Sequence, residues 1–194
     1  MTGQRGTGKR QAVEADKDAM RAGIIKYRDI ILSGKLLAID PSSVSSSSNP
    51  GYALFLAGNF VECGYMSIQY HRDLSIRLRR IREAFESSFS YADIVIIEKP
   101  SFAPLFTQKQ AAAKGRPFLN LKSIASLQRA CGASIAAFRS DLPLIEISPV
   151  SWSAYVRAHP EIGYEEKSDS NDAMAIGYTI IGLAKGLKGG NYED

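Results

Sequence analysis

The chain has 194 residues, of which 45% are hydrophobic and 23% are charged. These proportions are typical of a folded domain and exclude a wholly disordered chain, and the length fits one domain with a tail. Two cysteines and two histidines, with no CxxC pair, argue against a Cys/His zinc site and a disulfide framework. Because we find no bilayer-spanning apolar run and no secretory signal, the sequence predicts a cytoplasmic protein without a membrane partner.

The charge balance gives a weak indication of a nucleic-acid partner. The chain carries 24 Lys and Arg against 20 Asp and Glu, for a formal net charge of +4. If four of the acids held metal ions, the remaining residues would carry 24 − 16 = +8, an excess that favours phosphate contacts. The likeness of Gly3–Lys9 to a phosphate-binding loop fails, because Arg10 stands where that motif has Ser or Thr.

Hydrophobic periodicity predicts alternating strands and helices after a basic, Gly-rich tail over residues 1–11. In chain order, the predicted elements are a helix over 12–32, strands over 36–40, 52–57 and 60–68, a helix over 72–89, a strand over 93–98, a helix over 121–139, a strand over 144–147, and helices over 149–158 and 172–185. The intervening stretches 41–50, 99–120 and 161–167 are predicted loops.

This element order predicts an α/β fold. Three consecutive strands form an antiparallel meander, and the later strands alternate with helices, which is typical of parallel pairing. We therefore expect a five-stranded mixed sheet, an antiparallel meander plus two parallel strands, flanked by helices. The predicted division is 1–35 as a basic tail and helix, 36–188 as the main domain, and 189–194 as a C-terminal tail.

Four carboxylates occupy positions typical of a functional site. Asp40 ends the first predicted strand and Glu98 ends the fourth, while Asp169 and Asp172 share one face at the start of the last helix. Ligands of α/β sheets collect at the carboxyl ends of strands and at helix N-termini. If the first and fourth strands are neighbours, the acids converge, and such clusters select hard cations such as Mg²⁺ or Mn²⁺. Two such ions can clamp the attacking and leaving oxygens of a phosphoryl transfer.

Each acid also has a structural interpretation. Asp40 fits the start of a turn and Glu98 fits a surface ion pair. Asp169 fits a helix N-cap, and Asp172 fits an acid favoured by the helix dipole. For any one of them the structural role is the stronger interpretation. Their joint occurrence at the positions that the topology requires favours a metal site.

Three segments resemble the catalytic blocks of RuvC-type Holliday junction resolvases, which belong to the ribonuclease H-like nuclease superfamily. They are Leu36–Ser42, Ile94–Glu98 and Ser168–Ile176. Two further segments, Leu127–Ala133 and Ile145–Trp152, are similar to the helix after the family's fourth strand and to its fifth strand with the turn that follows. The family's first strand ends in Asp-Pro-Gly, whereas this chain has Asp40-Pro41-Ser42 and a serine-rich insertion before Gly51.

The resemblance implies a ribonuclease H-like fold, Mg²⁺ or Mn²⁺ as cofactor, and a homodimer that uses the 121–139 helix. It implies a crossover junction endodeoxyribonuclease, a phage-type member being one interpretation, which resolves four-way DNA junctions in recombination and repair. Asp40, Glu98, Asp169 and Asp172 would be its metal ligands and catalytic residues. The alternatives are another ribonuclease H-like two-metal nuclease, acting on RNA–DNA hybrids or flaps, and a branched-DNA-binding protein without catalysis.

Basic and aromatic residues that follow Glu98 are the candidate DNA contacts. They are Lys99, Phe102, Phe106, Lys109, Lys114, Arg116 and Lys122. Lysine and arginine would hold phosphates, and the resemblance implies an aromatic ring against unstacked bases at the junction centre. A solvated loop and core aromatic rings are the structural alternatives. Lys122 and Lys167 are the candidates for contact with the scissile phosphate.

Overall fold

A computed structural model of the chain describes residues 7–42, 49–99, 121–164 and 168–186, with backbone alone for 7–13 and 121–123. The helices are α1 (Thr7–Lys26), α2 (Arg28–Ser33), α3 (Leu74–Phe89), α4 (Leu121–Ile135), α5 (Pro149–Ala158) and α6 (Asp169–Gly186), with a 3-10 turn over Pro160–Ile162. The strands are β1 (Lys35–Asp40), β2 (Gly51–Leu56), β3 (Asn59–Tyr65), β4 (Ile94–Glu98) and β5 (Leu144–Ile147).

The strands form one five-stranded mixed sheet in the order β3-β2-β1-β4-β5. The strands β1, β2 and β3 pair antiparallel, whereas β4 runs parallel to both β1 and β5. Leu36 lies opposite Ile94 and Ile39 lies opposite Ile97, so β1 and β4 end at the same edge of the sheet. The predicted α/β fold and mixed sheet are confirmed.

Alternate residues of the central strands face two separate cores, because side chains of a strand point to opposite faces in turn. On one face, Ala38 and Ile96 pack with α6 and with Ile24 of α1 and Ile31 of α2. On the other face, apolar residues of β1 and β4 such as Val95 pack with α3 and α4. The β-branched run of β4 is buried throughout, as expected of a parallel strand covered on both faces.

Helix boundaries differ from the predicted ones where local polar contacts and tertiary packing decide them. The first helix begins at Thr7, within the predicted tail, and a break at Tyr27 separates α1 from α2. The last helix begins at Asp169, one turn before its predicted start. Residues 1–6 and the predicted C-terminal tail lie outside the described residues. In the described part of the chain, no helix is both long and apolar enough to cross a membrane.

The start of α6 lies directly against β2 at Gly51. A Cβ atom built on Gly51 would lie 2.0 Å from the carbonyl oxygen of Asp169 and 2.6 Å from the backbone nitrogen of Ser170. Gly51 is in turn the register partner of Asp40 in the sheet. The absence of a side chain at Gly51 therefore allows the first turn of α6 to approach the end of β1.

We expect Gly51→Ala to destabilise the fold by roughly 1–3 kcal/mol, the usual cost of forcing atoms into a packed contact. Chemical denaturation measures this change. The matched control is Gly132→Ala in α4, where a Cβ would meet nothing within 4 Å. That control should be neutral or stabilising by ~0.5–1 kcal/mol, because alanine is the better helix former. Equal stability of the Gly51→Ala protein and the parent would contradict the close approach.

Candidate metal centre

The sheet places two of the predicted acids side by side. Asp40 is the last residue of β1 and Glu98 is the last residue of the neighbouring strand β4. Asp40 follows Ala38 by two residues and Glu98 follows Ile96 by two, so both acids belong to the face that packs against α6. Asp40 is only 8% exposed and is buried, whereas Asp169 and Asp172 are half-buried.

The N-terminus of α6 supplies the other two acids. Asp169 is the first residue of this helix and Asp172 completes its first turn. The cap is Ser168, whose Oγ accepts a hydrogen bond of 3.1 Å from the Asn171 backbone nitrogen and whose carbonyl accepts one of 2.9 Å from that of Asp172. The alternative interpretation of Asp169 as the N-cap is therefore wrong, because Ser168 makes those contacts.

Three of the four acids meet closely enough to share an ion. Single carboxylate oxygens of Asp40, Asp169 and Asp172 all lie within 4.8 Å of one another. Glu98 lies outside this acidic triad (Asp40, Asp169 and Asp172), although its charge acts on Asp40. Closely placed carboxylate oxygens are the donor set of a hard divalent cation, so the residues present fit Mg²⁺ or Mn²⁺.

Burial and mutual repulsion disfavour ionisation of these acids. Burial first, and then the charges of Glu98 and the other two aspartates, raise the pKa of Asp40 to about 9. Burial also raises the pKa of Glu98 to about 7, although a hydrogen bond from Trp152 opposes this rise. The pKa of Asp169 is raised as well, by burial and by the charge of Asp172. A divalent cation would relieve the repulsion that these shifts express.

Two aromatic side chains donate hydrogen bonds to acids of the centre. Trp152 Nε1 of α5 lies 2.5 Å from Glu98 Oε2, and the Tyr164 hydroxyl lies 2.5 Å from Asp172 Oδ1. The two rings contact each other edge to face, with centroids 5.8 Å apart. Sequence reasoning missed Tyr164 and gave Trp152 no contact with an acid. Neither residue lies in a sequence motif that predicts a hydrogen bond to one of the acids.

Of the candidate DNA contacts, only Lys99 has a described side chain. Lys99 Nζ lies 2.7 Å from Asp16 Oδ1 of α1, and the two side chains are 28% and 41% exposed. Lys122 belongs to α4, whose first three residues are described by backbone alone. The remaining candidates lie outside the described residues: Phe102, Phe106, Lys109, Lys114, Arg116 and Lys167.

Comparison with solved structures identifies the fold. The Thermus thermophilus RuvC structure aligns with a TM-score of 0.52 and 16% identity, covering 75% of this chain and 92% of that chain. The same protein in complex with a Holliday junction substrate aligns with a TM-score of 0.51 and 17% identity, covering 75% and 90%. No family model matches the chain, and no curated protein matches its sequence. The chain thus has the ribonuclease H-like fold of RuvC, as the sequence resemblance predicts.

The raised pKa of Asp40 predicts how the stability of the metal-free protein depends on pH. In the unfolded chain this carboxyl loses its proton near 3.8, whereas in the folded chain it keeps the proton to about 9. Between these values the unfolded state binds fewer protons, so the free energy of unfolding falls as the pH rises. Its contribution is complete below 3.8 and is lost as the pH passes about 9.

We therefore expect the melting temperature in EDTA to fall from about pH 5 to about pH 8, and Asp40→Asn to weaken this fall. Near pH 8 the Asn protein should melt at least ~2–4 °C above the parent, the shift that about 1 kcal/mol gives in a chain of this size. Asp29→Asn is the control, because the Asp29 side chain is 98% exposed. Parallel pH profiles for the Asp40→Asn protein and the parent would contradict the electrostatic account.

Proposed function

We propose that this protein is a metal-dependent endonuclease that cleaves branched DNA and resolves Holliday junctions by paired phosphodiester hydrolysis. The observation that carries the proposal is the convergence of Asp40, Asp169 and Asp172 within 4.8 Å at the end of β1. The fold supports it, because a structure with the same fold holds a Holliday junction substrate. An acidic cluster of this kind suits phosphoryl transfer, in which charge develops on the attacking and leaving oxygens.

The four acids Asp40, Glu98, Asp169 and Asp172 would hold Mg²⁺ or Mn²⁺. Such ions, when bound, supply an activated water and stabilise the departing 3′ oxygen. The residues of the chain determine where this happens. Asp40 fixes the inner end of the site on the rigid sheet, while α6 carries the half-buried Asp169 and Asp172 on the outer side.

The proposed enzyme works as a homodimer, since two symmetric cuts in a junction require two active sites related by a two-fold axis. The helix α4 is the proposed interface. Its buried side faces α3, and its other side leaves Arg129 and Gly132 exposed. This exposed face can pack against the same face of a second copy of the chain, as an interface with two-fold symmetry requires.

The first test separates catalysis from binding. Asp40→Asn and Asp172→Asn should each lower the rate of junction cleavage by more than the ~10–100-fold that loss of an outer-shell partner costs. Junction affinity should change little, because neither variant alters a basic residue. The measurement uses a synthetic four-way junction, a linear duplex and an RNA–DNA hybrid, with gel-shift binding alongside the cleavage assay.

The control for both variants is Asp29→Asn, at a side chain that is 98% exposed. Cleavage of the hybrid but not of the junction would favour the alternative of a ribonuclease H-like nuclease with another substrate. Junction binding without cleavage in Mg²⁺ and in Mn²⁺ would favour a non-catalytic branched-DNA-binding protein. Normal junction cleavage by both variants would overturn the assignment of the site.

Lys99 provides a second test, because it is a proposed phosphate contact that already has a partner. In the absence of DNA, Asp16 neutralises its charge through the 2.7 Å ion pair. Lys99→Ala should lower junction affinity and reduce the slope of log affinity against log salt by ~0.9, the value for one phosphate contact. Asp16→Asn should raise affinity, because it frees Lys99 for phosphate.

Junction binding in EDTA over a salt series measures both effects. The control is Lys185→Ala, at an exposed lysine close to the C-terminal end of α6, far along the helix from Asp172. A purely structural role for the ion pair makes a different prediction. In that case both Lys99→Ala and Asp16→Asn would lower the melting temperature, and neither would change the salt slope.

A further inference from the structure

Trp152 and Tyr164 both contact acids of the metal centre, and the proposed reaction assigns no role to either residue. Each donates one hydrogen bond to one oxygen of an acid, Trp152 to Glu98 Oε2 and Tyr164 to Asp172 Oδ1. Both donor–acceptor distances are 2.5 Å, which places both donors in direct contact with the carboxylates. One oxygen of each acid therefore accepts a hydrogen bond from an aromatic side chain, and an ion bound to that oxygen would share it with the donor.

The chain path holds the indole beside Glu98. Ile147 of β5 is the register partner of Glu98, and α5 begins two residues later at Pro149. The first turn of α5 therefore lies at the same sheet edge as Glu98 and carries Trp152, whose side chain is 7% exposed. Burial in the core cluster restricts the ring, so the position of the donor is set by packing.

A separate segment brings the second donor. The 3-10 turn ends at Gly163, which adopts φ +68°, a left-handed conformation that glycine tolerates best. This turn directs the next residue, Tyr164, back onto the Trp152 ring at a centroid distance of 5.8 Å. The two aromatic residues thus form one packed unit, here called the aromatic pair, with one donor for each acid.

We propose that the aromatic pair positions Glu98 and Asp172 so that each binds a cation through a single oxygen, and that it thereby favours Mg²⁺ over Ca²⁺. The proposal rests on the metal centre of the proposed function. Mg²⁺ takes one oxygen from each carboxylate in a strict octahedron, whereas Ca²⁺ accepts six to eight oxygens and commonly takes both oxygens of one carboxylate. An ion that chelated either acid would have to share or displace the hydrogen bond from the aromatic pair.

The pair therefore acts on the two cations differently. For Mg²⁺, the fixed carboxylates reduce the reorganisation that binding requires, and loss of such outer partners typically costs 10–100-fold in affinity. For Ca²⁺, the same hydrogen bonds oppose binding through both oxygens of one carboxylate. Loss of the donors therefore has two opposing effects on Ca²⁺ affinity: the carboxylates are less well positioned, but both oxygens of each become available. Removing the donors should lower the ratio of Mg²⁺ affinity to Ca²⁺ affinity.

The test removes one donor at a time with little change of shape. Tyr164→Phe deletes only the hydroxyl, and Trp152→Phe deletes the indole N–H but keeps an aromatic ring. The matched control is Tyr178→Phe on α6, since the described contacts of Tyr178 are ring contacts with Phe55 and Phe60. Circular dichroism establishes that each variant is folded. Calorimetric titration of the full chain with Mg²⁺ alone and with Ca²⁺ alone, without DNA, measures the two affinities.

We expect Tyr164→Phe to lower Mg²⁺ affinity by ~10–100-fold and to lower Ca²⁺ affinity much less or raise it, so that the ratio falls at least ~10-fold. Trp152→Phe should shift the ratio in the same direction, and Tyr178→Phe should leave it unchanged. Equal loss of both affinities, or no change in either, would overturn the proposal, as would a parent chain that binds no Mg²⁺.

The outcome is separable from that of the proposed function because the titrations contain no DNA. A parent chain that cuts no junction but shows the predicted ratio change would retain the metal selectivity and lose the resolvase assignment. A parent chain that cuts junctions, with variants of unchanged ratio, would retain the resolvase assignment and overturn the role of the aromatic pair. Where Tyr164→Phe does not fold, the Trp152→Phe titration alone decides the proposal.

Discussion

The contact between α6 and β2 at Gly51 is the constraint on which the acidic centre depends. The carbonyl of Asp169 occupies the space where any larger residue at position 51 would place its Cβ. A second close contact lies further along the helix, where a Cβ on Gly177 would meet the Phe55 ring at 2.0 Å. These two glycines allow α6 to pack closely against the sheet, and this packing brings Asp172 to the end of β1.

Apolar packing of α6 offsets the electrostatic cost of the site. Ile176 and Ile180 are fully buried against the sheet, and burying each such side chain contributes about 1.5–3 kcal/mol. The acids oppose this gain, because like charges a few ångströms apart resist ionisation together. The pKa of Asp40, raised to about 9, expresses this opposition. A cluster that is unfavourable when empty gains most from a divalent cation, so instability without metal and affinity for metal have the same cause.

The sequence predicted those parts of the molecule that simple periodicities determine. The apolar runs before Asp40 and Glu98 predicted two buried strands, and the two-residue period of a strand explains why both acids reach the same face. The break at Tyr27 and the start of α6 at Asp169 follow from packing and from the Ser168 cap, which periodicity does not encode. Tyr164 was missed because it follows an irregular turn, where no repeating pattern relates a side chain to the sheet.

The Lys99–Asp16 ion pair joins residues 83 positions apart, so only the folded chain reveals it. Lys99 is a candidate DNA contact because it follows Glu98 in the sequence. The structure shows that Asp16 would compete with a DNA phosphate for the Lys99 ammonium group. Both side chains are partly exposed, and exposed pairs contribute only about 0–1 kcal/mol because water and salt screen them. A DNA backbone presents many phosphates and releases its counterions on binding, which yields more free energy per contact at low salt. An ion pair this weak contributes little to the position of α1, so Lys99 can leave Asp16 for a phosphate at little cost.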